Sequence, residues 1–193
     1  MKLVCGVGVN DLPKGSCSVM VDGKAIQHPF YKKWKSMIER SYSEKCHDRN
    51  PTYLECSVCE EWKTLSKFKS WFDQQNPDRY CWQLDKDVLL VGNKIYSPET
   101  CLLVPSWLNM FVTDGGANRS NHAVGVCWRE QRNKYQAAVR DIHGNKRYLG
   151  VFTDELSAHL AWKAAKLQIV HDMKTDLDGI DIRVYPALVK RYS

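Results

Sequence analysis

The stretch AVGVCWREQRNKYQAAVRDIHGNKRYLGVFT, residues 123–153, decides how the C-terminal part of the chain folds. It contains three short alternating segments, AVGVCWRE, KYQAAVRDI and KRYLGVFT, separated by QRN and HGN. The polar, turn-prone residues in those gaps suit tight hairpins, so an antiparallel sheet is predicted. Val124 and Val126 alternate with Gly125 and Cys127, and Ala137 and Val139 alternate with Ala138 and Arg140. A period of two makes one face apolar and the other charged. From Thr153 the period becomes helical, with Leu156, Leu160, Ala161, Ala164, Leu167 and Val170 expected to form the stripe that covers the apolar face. Trp128, Arg129, Arg132, Lys134, Tyr135, Arg140, Arg147 and Tyr148 are then expected to remain exposed.

Between residues 118 and 153 stand seven Lys or Arg and two acids, a concentrated basic excess in a chain of net charge +6. Guanidinium groups meet phosphates and guanine edges with two-pronged geometry, and planar rings pack on sugars or thymine methyls, so this mixture suits a duplex groove. Residues 125–165, GVCWREQRNKYQAAVRDIHGNKRYLGVFTDELSAHLAWKAA, resemble an APETALA2-type DNA-binding domain. The resemblance implies a three-stranded sheet packed on one helix, double-stranded DNA as partner, and contacts from Trp128, Arg129, Arg132, Lys134, Arg140 and Arg147. Tyr135 stands where that family usually has Trp. In phage and bacterial proteins such a domain commonly follows a nuclease module.

A chain of 193 residues, 44% hydrophobic, has room for two small cores. The segment TDGGANRSNH, residues 113–122, reads as a linker between residues 1–112 and 123–193, because its glycines and small polar residues sustain neither helix nor strand. No apolar run reaches membrane-spanning length, and MKLVCGVGVNDLPKG lacks the pattern of a secretion signal. An intracellular protein is therefore expected, with its eight cysteines mostly thiols. Neither GKA at 23 nor GNK at 92 has the glycine spacing of a phosphate loop.

Upstream, PFYKKWKSMIERSYS sets Phe30, Trp34, Met37, Ile38 and Tyr42 at helical spacing, and TLSKFKSWFDQQ stacks Leu65, Phe68, Trp71 and Phe72 behind a Thr64 cap. Both read as core helices. In CWQLDKDVLLVGNKIYSPETCLLVPSWLNMF, residues 81–111, Leu84–Val91 reads as a strand, GNK as a turn, and Ile95–Tyr96 as the return. A short helix is predicted from Trp107. Acids on a strand followed by an Asn on a helix resemble the phage HNH homing-endonuclease family, a ββα-metal hairpin and helix. Asp85 and Asp87 match its strand acids, YSPETC (96–101) its Y-x-P-E-N-C box, and Asn109 its helix Asn.

That resemblance implies a metal-dependent DNA endonuclease acting in the cytoplasm of a phage-infected bacterial cell. Asp85, Asp87 and Asn109 would surround Mg²⁺, and Lys86 would complete the catalytic set. Lys86 stands where many family members have the His that deprotonates water, Thr100 replaces the Asn of the box, and no His lies between His47 and His122. A free Lys, near pKa 10.4 against about 6.5 for His, is a poor proton acceptor at neutral pH. Lys86 is better suited to hold a phosphate, while Asp85 could orient a metal-bound water. Hard oxygen ligands favour Mg²⁺ over Zn²⁺.

Cys56-x-x-Cys59 has the bite of half a structural zinc site, with Cys46, His47, Cys81 or Cys101 as the other ligands, and no second C-x-x-C is present. After Val170, IDIRVY alternates like a strand. The expected whole is an α+β chain: an HNH-like nuclease module, then a three-stranded antiparallel sheet on one helix. The alternative is a catalytically degenerate DNA-binding protein that acts as a regulator or as an inhibitor of another nuclease.

Overall fold

The computed structural model describes residues 3–113 and 122–193. It is α+β, and the chain divides into two compact units, Met1–Val104 and Pro105–Ser193. Apart from its two end residues, the expected linker lies outside the described residues.

In the first unit β1 (Ser18–Val21) and β2 (Lys24–Gln27) form an antiparallel hairpin. Its turn residues Asp22 and Gly23 have φ of +49° and +72°, as the mirror-image hairpin turn requires. Next comes α1 (Pro29–Tyr42), whose Pro supplies a pre-set φ at its start and whose buried face is Phe30, Trp34, Met37 and Ile38. After α2 (Glu44–Arg49) and the two-residue β3 (Ser57–Val58), α3 (Leu65–Asp73) buries Leu65, Phe68 and Phe72. Thr64 occupies the N-cap position as expected, but its side chain makes no capping bond. Asp11 does that work from a distance, accepting the Ser66 N–H at 2.9 Å and the Ser66 hydroxyl at 2.5 Å.

Trp34 and Trp62 lie at the centre of this unit's core, and the Trp34 indole donates to the Trp62 carbonyl at 2.7 Å. Both rings are thereby buried without orphaning the Trp34 N–H. Trp62 meets Phe68 edge-on at 5.0 Å, and Phe72 stacks on Tyr80 at 4.4 Å. Burying each such ring stabilises by roughly 1.5–3 kcal/mol, which explains why so short a set of strands suffices.

Those strands differ from the expected hairpin. β4 (Gln83–Asp85) pairs antiparallel with β6 (Leu102–Val104), whereas β5 (Ile95–Tyr96) runs parallel to β3. Residues 86–94 are a loop rather than a continued strand. Asp85 stops the strand, because its Oδ1 accepts the backbone N–H groups of Asp87 and Val88 at 2.7 and 2.8 Å and turns the chain. Of the apolar run that suggested a strand, Val88 is buried while Leu90 and Val91 are exposed.

In the second unit α4 (Ser106–Val112) is followed by β7 (Val126–Arg129), β8 (Lys134–Arg140) and β9 (Lys146–Phe152), an antiparallel sheet in that order. Then come α5 (Glu155–Asp172), α6 (Lys174–Ile180) and α7 (Val184–Tyr192). The division between units thus falls before α4, not after residue 112. The last carbonyls of α4 explain this: Lys166 Nζ donates to Phe111 O at 2.5 Å and Arg191 Nη2 to Val112 O at 2.7 Å. Cations from α5 and α7 therefore satisfy a helix end that would otherwise be orphaned.

The sheet packs on α5 as expected, through a buried stripe that shares only Val170 with the expected one. Asp154 caps the helix by accepting the Ser157 N–H at 2.8 Å, and the buried face is Ala158, Trp162, Ala165 and Val170. Leu156 and Leu160 are 66% and 53% exposed. The helix carries two apolar stripes, and the one bearing Trp162 buries the larger ring while its alanines permit close approach. Gly125 completes that seam: it has φ +79°, and a Cβ there would lie 2.1 Å from Trp162 Cδ1. The C-terminal segment is helical, not a strand, because Val184, Leu188 and Tyr192 fall at helical spacing and are buried.

Candidate nucleic-acid interface and the acidic loop

Strand register assigns every side chain of the sheet to a face. Val126 stands opposite Ala137, and both are buried, so this face meets α5. By alternation Cys127, Arg129, Lys134, Gln136, Ala138 and Arg140 lie on the other face. Across from them on β9, Val151 faces Gln136, Tyr148 faces Ala138 and Lys146 faces Arg140. Arg129, Lys134 and Arg140 thus stand where they were expected, while Gln136 and Lys146 join the face unforeseen.

Two expected contacts fall elsewhere. Trp128 pairs with Tyr135 on the helix side, the rings meeting edge-on at 4.7 Å. Arg147 pairs with the buried Val139, again on the helix side. A bulge is responsible for Arg147: Ala137 faces Gly150 and Ala138 faces Tyr148, so Leu149 is an extra residue on β9. One inserted residue reverses the phase, turning Tyr148 to the outer face and Arg147 to the helix side, where it is still exposed. Arg132 lies exposed in the turn between β7 and β8.

The outer face has an unusual charge arrangement. Arg129 stands directly opposite Lys134, and Arg140 directly opposite Lys146. Like charges in register destabilise a sheet by a few tenths of a kcal/mol each. Among the described residues none of these four cations has a carboxylate partner; Lys35, Lys69 and Lys174, by contrast, are paired along their helices. A concavity of about 710 Å³ is lined by Cys127, Arg129, Arg132, Gln136 and Tyr148, with Trp128 and the acidic Glu130 also at its wall. From Lys134 to Arg140 the strand advances about 20 Å, close to the rise of six base pairs.

The acidic loop of the first unit is arranged oppositely. Lys86 is 6% exposed, and its ammonium donates to Asp87 Oδ2 at 2.7 Å and to Asn93 O at 2.6 Å. Asn93 donates in turn to Lys86 O at 2.9 Å and Ile95 O at 2.8 Å. Burial pushes the Asp85 carboxyl above the ordinary range, against the two N–H groups that favour its charge. Asp85 and Asp87 belong to the first unit, whereas Asn109, half-buried on α4, belongs to the second. In this loop Asp85 Oδ1 serves the backbone and Asp87 Oδ2 holds an ammonium. Lys86 is thus tied on both sides, by the Asp87 carboxylate and by the Asn93 carbonyl.

Cys56 is buried and Cys59 half-buried in the first unit, and burial pushes the Cys59 thiol up. Cys101, also buried, is pushed up to about 12. Among the described residues no three His, Cys, Asp or Glu side chains come together as metal ligands. Nor is any described helix long and apolar enough to cross a membrane. Comparison with family models, curated proteins and solved structures gave no match.

Proposed function

We propose that this chain binds double-stranded DNA through the outer face of β7, β8 and β9, and that its acidic loop serves the fold rather than cleavage. The observation that carries this reading is the pair of in-register cation couples, Arg129 with Lys134 and Arg140 with Lys146, on one exposed face. A sheet that accepts this repulsion in isolation recovers it when a polyanion neutralises the charges and releases its counterions. The concave surface beside Arg129 suits a groove that admits a β-ribbon.

Metal-dependent cleavage is the second reading. The strand, loop, strand and helix order of β4, β6 and α4, with Asp85 before the loop and Asn109 on the helix, favours it. Against it stand the missing histidine and the Asp87–Lys86 ion pair. One experiment separates the readings: purified chain with a labelled duplex, and in parallel with supercoiled plasmid and Mg²⁺. Tight duplex binding with the plasmid left supercoiled is expected. Nicking that disappears in Asp85→Ala would favour the endonuclease, and failure to hold any duplex would end the binding proposal.

A further inference from the structure

Gln136 stands in the middle of the outer sheet face, half-buried, between Lys134 and Ala138 on β8. Arg129 Nε donates to Gln136 Oε1 at 2.8 Å. A guanidinium nitrogen only donates, so the atom facing it must be the amide oxygen, and chemistry settles the orientation of this amide. Two consequences follow for Arg129. Its planar group is fixed before any ligand arrives, which lowers the rotamer entropy lost on binding. Its Nε–H is already used, which leaves the two Nη nitrogens at the tip as the fork that reaches outward.

In the major groove guanine presents two adjacent acceptors, N7 and O6, while adenine presents an acceptor beside a donor. A fork of donors held end-on matches the first and is repelled by the second. We propose that Gln136 is a positioning residue that fixes Arg129 for end-on, two-pronged recognition of a guanine. This inference rests on the DNA-binding reading above.

The test is selection by the full chain from a pool of duplexes with a randomised core, run beside Arg129→Lys and Gln136→Met. Arg129→Lys identifies the base pair that Arg129 reads. Gln136→Met keeps the side-chain length and removes the acceptor. The native chain should enrich guanine at one position, and Gln136→Met should lose about tenfold of that preference at that position alone. Its thermal midpoint should not move, which separates lost positioning from a lost fold. Guanine preference unchanged in Gln136→Met, or no preference in the native chain despite tight binding, overturns the inference and leaves the binding reading intact. A native chain that captures no duplex sinks both.

Discussion

Lys86 and the four cations of the sheet show two opposite uses of positive charge in one chain. Lys86 is buried, held by Asp87 and by a carbonyl, and its neighbours are tied by Asn93. Arg129, Arg140 and Lys146 stand exposed and Lys134 half-buried, in register against one another. A buried ammonium without partners would cost several kcal/mol, and under the proposed function these partners make Lys86 part of the fold. Exposed like charges cost little, and under the proposed function they face a partner of opposite charge.

The comparison breaks most visibly at the seam beneath the sheet. Gly125→Ala should destabilise the second unit by on the order of 3–5 kcal/mol, since it forces a side chain into positive φ and into Trp162. Loss of the cooperative thermal transition would show it, and an unchanged midpoint would contradict the packing described. Lys86→Met should cost about 1–3 kcal/mol in the first unit by leaving the Asn93 carbonyl without its donor. Duplex affinity, read in the same preparations, should change less than twofold; a large loss would make Lys86 a DNA ligand after all.

The outer face should behave in the reverse manner. Arg129→Ala and Arg140→Ala are each expected to weaken duplex binding about tenfold and to make the salt slope shallower by about one, with no loss of thermal stability. Arg147→Ala, on the helix side of the bulge, should change affinity less than twofold. The smallest effect concerns pH. Burial raises the Asp85 carboxyl, so its contribution to stability is full below the unfolded aspartate value, about 3.9, and is lost as pH rises through the folded value. Asp85→Asn keeps the acceptor for both N–H groups and removes the charge. At neutral pH it should be at least as stable as the native chain, and that advantage should fade on acidification.

Much of this architecture was legible in the residues. α1, α3 and the three-stranded sheet followed from periods of 3.6 and two, because each buries one clear face. Trp128 was expected on the wrong face, although a residue two places after buried Val126 points the same way as it does. The face of Arg147 was not legible, because the bulge at Leu149 depends on which β9 residues pair with β8, and no local pattern encodes that choice. The loop at 86–94 misled for a similar reason: Val88–Val91 looks like a strand, but side-chain hydrogen bonds from Asp85 and Asn93 compete with the ladder and win. On α5 two apolar stripes competed, and only the place of Gly125 selects the one with Trp162. The β1–β2 hairpin offered no alternation to find, with Val19, Met20 and Val21 all exposed.

The most direct test of the central claim is the salt dependence of duplex binding, measured for the native chain and for a variant with Arg129, Lys134, Arg140 and Lys146 all replaced by Ala. If the four cations meet phosphates or displace their counterions, the native log–log slope should be steeper than that of the variant by about 3–4. Equal slopes in the two proteins would contradict the account.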